Sequence, residues 1–253
     1  MAYRLEVKNV NKEFDGKKIL DDISFGVNKG EFLSILGESG CGKTTLLRIM
    51  IGLEKADSGL ILKNGEDISH RAPSNRSMGI IFQNYALFPN MTVLENVEYA
   101  LKNKKELKDN SRQIALDTLE MIGMSDQISK KPRMLSGGQQ QRVAIARTLA
   151  MQPSIVLLDE PISALDVSMK EVMKKELKEI QKKFNATMIY ITHDQEEAFY
   201  LSDRILVMNA GKIEQLDTPS EIFNHPKTPF IQEFVVDHLT QKLESLERST
   251  RKI

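Results

Sequence analysis

Residues 37–44 read Gly-Glu-Ser-Gly-Cys-Gly-Lys-Thr and match the phosphate-binding pattern G-x-x-x-x-G-K-[ST]. The flanks supply the setting that pattern requires. Residues 32–36, Phe-Leu-Ser-Ile-Leu, predict a buried strand leading in, and residues 43–50 predict a helix leading out. Gly37, Gly40 and Gly42 let backbone N–H groups converge on phosphate oxygens, and the helix N-terminus adds a favourable dipole. Lys43 is placed to reach the β- and γ-phosphates, and the Thr44 hydroxyl to ligate Mg²⁺. Ser39, Cys41 and Thr45 complete the cradle.

The pattern around this loop predicts an α/β fold. Tyr3, Leu5 and Val7 alternate as in a half-buried strand, and Ile23, Phe25 and Val27 suggest another. Residues 59–82 read as short strands around an Asn64-Gly65 turn. From about residue 92 to 149 the pattern turns helical. Thr92 and Glu95 have capping-box spacing, and Ile114, Leu116, Leu119 and Ile122 mark an apolar face. Residues 155–158 and 188–191 read as buried parallel strands. Residues 170–183 between them read as an amphipathic helix, with Met173, Leu177, Ile180 and Phe184 on one side. Residues 205–213 look like a hairpin. Strands alternating with helices imply a parallel sheet, with a helical subdomain of about 90–150 inserted into it.

Charge bears on the partners. Lys and Arg total 35 and Asp and Glu total 35, so no global electrostatic pull toward nucleic acid follows, and no nucleic-acid partner is expected. Cys41 is the sole cysteine, which excludes an internal disulfide or a thiolate metal cluster and fits a reducing compartment. Residues 1–7 lack the apolar stretch of a signal peptide. No segment approaches the ~20 apolar residues of a membrane span. A soluble, intracellular protein is expected, unless a partner holds it at a membrane.

Five further features narrow the chemistry. Asp159 and Glu160 follow the apolar run 155–158, at the strand end where α/β sheets place ligands. Asp159 is assigned to the metal shell and Glu160 to polarising an attacking water. Leu135-Ser136-Gly137-Gly138-Gln139 precedes an evident helix. Ser136 reads as its N-cap, and the glycines open a second anion-binding helix start that has no lysine of its own. His193 follows the strand ending at Ile191-Thr192, where it can hydrogen-bond a γ-phosphate; a lone histidine there is more often structural. Gln83 follows Ile80-Ile81-Phe82 and can reach metal and water. Phe14 can stack on adenine, although an ordinary surface or core aromatic fits its sequence as well.

Together these residues resemble the ATPase subunit of ATP-binding-cassette (ABC) transporters, over residues 2 to about 236. Residues 135–142, Leu-Ser-Gly-Gly-Gln-Gln-Gln-Arg, look like the family signature, and 163–166, Ser-Ala-Leu-Asp, like the loop after the Walker B segment. Gln83 resembles the Q-loop residue and His193 the switch histidine. The resemblance implies a P-loop NTPase fold: a RecA-like parallel sheet core, an N-terminal antiparallel β subdomain and the inserted helical subdomain. It implies ATP and Mg²⁺ as ligands and a head-to-tail dimer with a second ATPase subunit, in which Ser136, Gly137, Gly138 and Gln139 act in trans. Glu160, Lys43, His193 and Gln83 would carry hydrolysis, with Thr44, Gln83 and Asp159 around the metal. Transmembrane permease subunits would dock near residues 83–91, on the cytoplasmic side of the inner membrane.

Residues 84–93 and 192–198 look like those of importers for sugars, polyamines, ferric iron, sulfate and phosphonates, which implies an extracytoplasmic solute-binding protein. Many of that group carry a C-terminal regulatory β domain, which the 237–253 tail is too short to provide. The tail reads as a short helix with Leu239, Leu243 and Leu246 on one face, or as a frayed end. Phe14 stands where the family often has tyrosine. An exporter ATPase, a soluble ABC protein acting on nucleic acid or ribosomes, and a small-molecule P-loop kinase are the competing readings. Residues 135–142 speak against the last.

Overall fold

The computed structural model describes residues 3–163 and 165–250, and the side chains of Leu246, Ser249 and Thr250 are outside that description. Ala164 and the 251–253 end of the expected tail helix therefore lie outside the described residues. Along the chain, β1 (Leu5–Phe14), β2 (Lys17–Val27) and β3 (Phe32–Gly37) lead to α1 (Lys43–Ile51), followed by β4 (Ser58–Lys63) and β5 (Glu66–Asp67). Next come β6 (Met78–Ile81), α2 (Val93–Lys102), α3 (Ser111–Met121), α4 (Gly137–Leu149), β7 (Ile155–Asp159) and α5 (Val167–Phe184). The chain continues through β8 (Met188–Thr192), α6 (Gln195–Leu201), β9 (Arg204–Asn209), β10 (Lys212–Asp217) and α7 (Pro219–Asn224). It closes with the single turn α8 (Pro229–Ile231), a π-helical turn Gln232–Asp237 and α9 (His238–Thr250). Two compact units result: Met1–Ala72 with Thr187–Ile253, and Pro73–Ala186.

The first unit holds an antiparallel sheet in the order β2-β1-β4-β5. Its β1–β2 ladder runs from Leu5↔Val27 to Phe14↔Lys17, with register shifts between Val7 and Val10 and again beyond it. Such shifts bend the strand and re-aim its side chains. In the same unit β3 lies parallel between β8 and β9, and β10 pairs antiparallel with β9. All six residues of β3 are buried, as in a parallel strand covered on both faces. The one polar side chain among them, Ser34, accepts a hydrogen bond from Ser202 at 2.5 Å. Leu36, Ala198, Ile205, Val207, Ile222, Ile231 and Val235 form a core onto which Phe234 and Leu239 pack. The tail is thus helical to residue 250, but only part of its expected apolar face is used: Leu239 docks, while Leu243 is 58% exposed.

The second unit contains the parallel pair β6–β7, in register from Met78↔Ile155 to Ile81↔Leu158. Its helices bury Val93, Val97, Leu101, Val143, Ala144 and Ile145. Of the expected apolar face of α3, Leu119 and the C-cap residue Ile122 are buried and Ile114 and Leu116 half-buried, and Ala115 is buried beside them. On α5, Met173, Leu177 and Ile180 are buried, each worth about 1.5–3 kcal/mol relative to exposure. Asp166 caps its N-terminus by accepting the Met169 N–H, and Asn185 ends it at φ 46°.

Between β6 and α2 the chain runs irregularly, and Asn96 holds its end in place. This fully buried amide accepts the Phe88 N–H at 2.8 Å. It donates to the carbonyls of Phe88, Met91 and Thr92 at 3.2, 3.3 and 2.9 Å. Asn96→Ala would strip partners from half-buried backbone groups, so it should lower unfolding free energy by about 1–3 kcal/mol. Chemical denaturation checks this; a change under 1 kcal/mol would show that the loop does not rely on the amide.

Candidate active site

In the first unit, the cradle is built where β3 hands over to α1. Gly42 precedes α1 with φ 107°, and a Cβ there would stand 2.8 Å from the Ile19 carbonyl oxygen. Both facts require glycine. The Lys43 side chain is buried, 5% exposed, and its Nζ donates to the carbonyls of Gly37 and Glu38, each at 2.8 Å. The lysine therefore arches back over its own loop. A buried ammonium with two neutral acceptors is a strong attractor for an anion, because carbonyls do not neutralise the charge. Ser39, Gly40 and Thr44 are exposed at the loop surface, Thr45 is half-buried and Cys41 is buried. Burial raises the Cys41 thiol above the ordinary cysteine range, with the nearby Lys43 charge opposing the rise.

His193 is exposed just after β8, and buried polar contacts fix its backbone. Thr192 and Tyr190 both donate to Glu197 Oε2, at 2.8 and 2.7 Å. The Thr192 hydroxyl oxygen accepts the Asp194 N–H, and the Asp194 carboxylate caps α6 by accepting the Glu197 N–H. Glu197 is a positioning residue not anticipated from sequence, although its spacing three residues after Asp194 is a capping pattern. Phe14 is 43% exposed, and Lys12 Nζ lies 4.7 Å from its ring centroid. Lys12 is in turn held by Glu54 and Asp57 at 3.0 and 3.1 Å.

The second unit brings other expected residues together. Gln83 Nε2 donates to Ser163 Oγ at 3.0 Å, and that hydroxyl donates to the Glu160 carbonyl at 2.9 Å. Glu160 itself has φ 44°, an unfavourable left-handed conformation for a residue with a side chain. Ser163 thus ties Gln83 to the backbone of Glu160, and its position three residues after Glu160 was the available signal. Asp159 ends β7 half-buried.

Ser136 is the N-cap of α4 in a full capping box: its Oγ accepts the Gln139 N–H, and Gln139 Oε1 accepts the Ser136 N–H. The cap uses the serine oxygen as acceptor, so its proton remains available to donate. Gly138 lies so near α5 that a Cβ would stand 3.0 Å from Met169 Sδ, and Gly137 is similarly close to Leu165.

A family model described as ABC transporter matches residues 20–163. The chain belongs to the ABC transporter family. It is 48% identical over 231 residues to the spermidine/putrescine import ATP-binding protein PotA of Marinobacter nauticus, covering 91% of this chain and 62% of that protein. It is 46% identical over 237 residues to the sulfate/thiosulfate import ATP-binding protein CysA 2 of Chromobacterium violaceum, covering 94% and 64%. The chain thus spans somewhat under two thirds of the length of these relatives. Among solved structures, that of CbiO1 from Clostridium perfringens, part of the ABC transporter complex CbiONQ, matches with TM-score 0.83 and 31% identity over 96% of this chain and 100% of that one. The P-loop fold of ABC ATPases is therefore the fold of this chain. No helix among the described residues is long and apolar enough to cross a membrane.

The buried thiol inside the cradle gives a direct probe of this ABC site. A raised pKa means a smaller thiolate fraction at neutral pH, so Cys41 should alkylate about tenfold or more slower than an exposed thiol. The rate should climb as pH passes the ordinary thiol range, and ATP should slow it further. Labelling followed by mass spectrometry checks this, and equal rates with and without ATP would count against the loop geometry.

Proposed function

We propose that this chain is the ATP-hydrolysing subunit that energises solute uptake across the cytoplasmic membrane. The observation that carries the reading is the pairing of two unlike anion-binding helix starts in one chain. The α1 start has a buried lysine, and the α4 start has a capped serine and two glycines without one. The second is complete only when it closes on a phosphate that the first holds in another copy, so ATP is sandwiched in a head-to-tail dimer. The naming of relatives as import ATP-binding proteins supports uptake as the direction.

Each residue then has a task. Lys43 leaves its two carbonyls for the β- and γ-phosphates, and the N–H groups opening α1 receive the remaining phosphate oxygens. Phe14 stacks on the adenine with its open face. Glu160 orients and deprotonates the attacking water, and His193 donates to the γ-phosphate as charge builds. The Ser136 hydroxyl and the N–H groups at Gly137 and Gly138 serve the partner's nucleotide. The hydroxyl of Thr44, the carboxamide of Gln83 and the carboxylate of Asp159 are hard oxygen donors that fit Mg²⁺. That ion would supply charge neutralisation between the phosphates. The partners are a second copy, membrane permease subunits docking near residues 83–91, and an extracytoplasmic solute-binding protein. The site of action is the cytoplasmic face of the inner membrane, held peripherally.

Glu160→Gln keeps the side chain's shape and removes its basicity. Turnover should fall by about 10²–10⁴-fold, and ATP with Mg²⁺ should convert the variant to a stable dimer on size exclusion. Unimpaired hydrolysis would sink the role of Glu160. Purification in mild detergent from its own cells should bring down polytopic membrane proteins; recovery of ribosomes or DNA-repair factors instead would refute the transporter assignment.

A further inference from the structure

The loop between Gln83 and Phe88 is held in an unfavourable shape by one side chain from α4. Tyr85 and Ala86 are consecutive left-handed residues, at φ 59° and 46°, a conformation that residues with a Cβ avoid. The Ala86 N–H donates to the Asn84 carbonyl at 2.7 Å and closes a three-residue turn around Tyr85, of a kind that is rare and strained. The ring of Tyr85 is buried, and its hydroxyl has no hydrogen-bond partner, a further penalty in this arrangement. Against these costs stands Arg147. Its Nη1 donates to the Ala86 carbonyl at 2.7 Å and its Nη2 to the Tyr85 carbonyl at 2.9 Å. The guanidinium also lies 5.7 Å from the Phe88 ring centroid, and Phe88 packs on Tyr99 at 4.6 Å.

Arg147 sits in the last turn of α4, and Ser136 caps the first. At 1.5 Å per residue, the eleven steps between them span about 16 Å of one rigid helix. A planar fork that fixes two carbonyls at once also fixes their orientation. We propose that Arg147 is a positioning residue, a latch that holds the Tyr85-Ala86 turn and makes the loop carrying Gln83 move with α4. Movement of the Ser136 end on meeting nucleotide is then delivered at the other end as a change in the loop. The existence of that movement rests on the sandwich reading above; the latch itself rests on the geometry of the loop.

The test is hydrogen exchange by mass spectrometry on the full chain carrying Glu160→Gln, with and without ATP and Mg²⁺. Without nucleotide, Arg147→Met should speed exchange in residues 83–91 by about tenfold, because the strained turn loses its two strongest bonds. Adding Ala86→Gly should restore slow exchange, since glycine takes a left-handed conformation without penalty. With ATP, the chain with Arg147 should change exchange in both 136–142 and 85–91, a window that leaves out Gln83, which would meet the metal directly. The Arg147→Met chain, with or without Ala86→Gly, should respond at 136–142 but not at 85–91. Should Arg147→Met fail to fold, Arg147→Lys, which keeps the cation without the fork, is expected to give the same pattern.

The latch is overturned if residues 85–91 exchange equally with and without Arg147, or if they still respond to ATP in its absence. No response at 136–142 in the Arg147 chain would refute the sandwich reading instead. The nucleotide-free comparison would then decide the latch.

Discussion

Two backbone carbonyls hold the Lys43 ammonium inside its own loop. Burying a charge costs several kcal/mol unless it is paired, and carbonyl dipoles compensate only in part. The loop retains the charge because its surroundings are fixed: every residue of β3 is buried, and Gly42 turns the chain into α1 at a φ that only glycine adopts freely. The cradle is therefore rigid with its cation pointed inward. An incoming phosphate meets preorganised donors and gives the ammonium a formal counter-charge, so ligand binding relieves a cost already present in the fold.

The second unit stores its cost differently. Glu160 at φ 44° and the Tyr85-Ala86 turn each carry strain of about 1–3 kcal/mol per residue. Side chains hold both: Ser163 bonds to the Glu160 carbonyl, and Arg147 to the carbonyls of Tyr85 and Ala86. Gln83 lies between these two devices, on the loop that Arg147 grips and hydrogen-bonded to the serine that grips Glu160. A shift of that loop alters the support of the carboxylate expected to handle water. If Glu160 handles the attacking water as proposed, hydrolysis and loop position share one hydrogen-bonded network.

What was legible in the sequence was local. The strand, loop and helix around residues 32–50, the cap at Thr92 with Glu95, the cap at Ser136 and the buried stripe of α5 all depend on contacts within a few residues, where spacing records geometry. Distant contacts were not legible. Arg147 meets Tyr85 and Ala86 across 61–62 positions, and no periodicity marks such a bond. On α3, Leu119 and Ile122 are buried as their spacing indicates, while the burial of Ala115 between the half-buried Ile114 and Leu116 is not marked by a pattern of large apolar residues. Leu243 reads as apolar in a helical pattern, yet α9 docks at Leu239, since packing stops where the core beneath it ends.

The two helix starts differ for a physical reason that bears on how one chain can both bind and release. A cradle with its own buried lysine binds phosphate tightly without help. The α4 start has N–H groups, a serine proton and a helix dipole, the dipole alone contributing about 0.3–2 kcal/mol toward an anion, but no formal positive charge of its own. In the proposed sandwich, such a start would favour closure on a phosphate already held and lose that preference once the γ-phosphate departs. Giving α4 a lysine would remove the asymmetry and, in the proposed dimer, favour the closed state after hydrolysis. At the capped Ser136 start the two glycines bring no side-chain charge, and a Cβ at either would stand 3.0 Å from the side-chain ends of Leu165 or Met169. In the proposed sandwich, weak closure follows from a helix start without a lysine, and reversible work from weak closure.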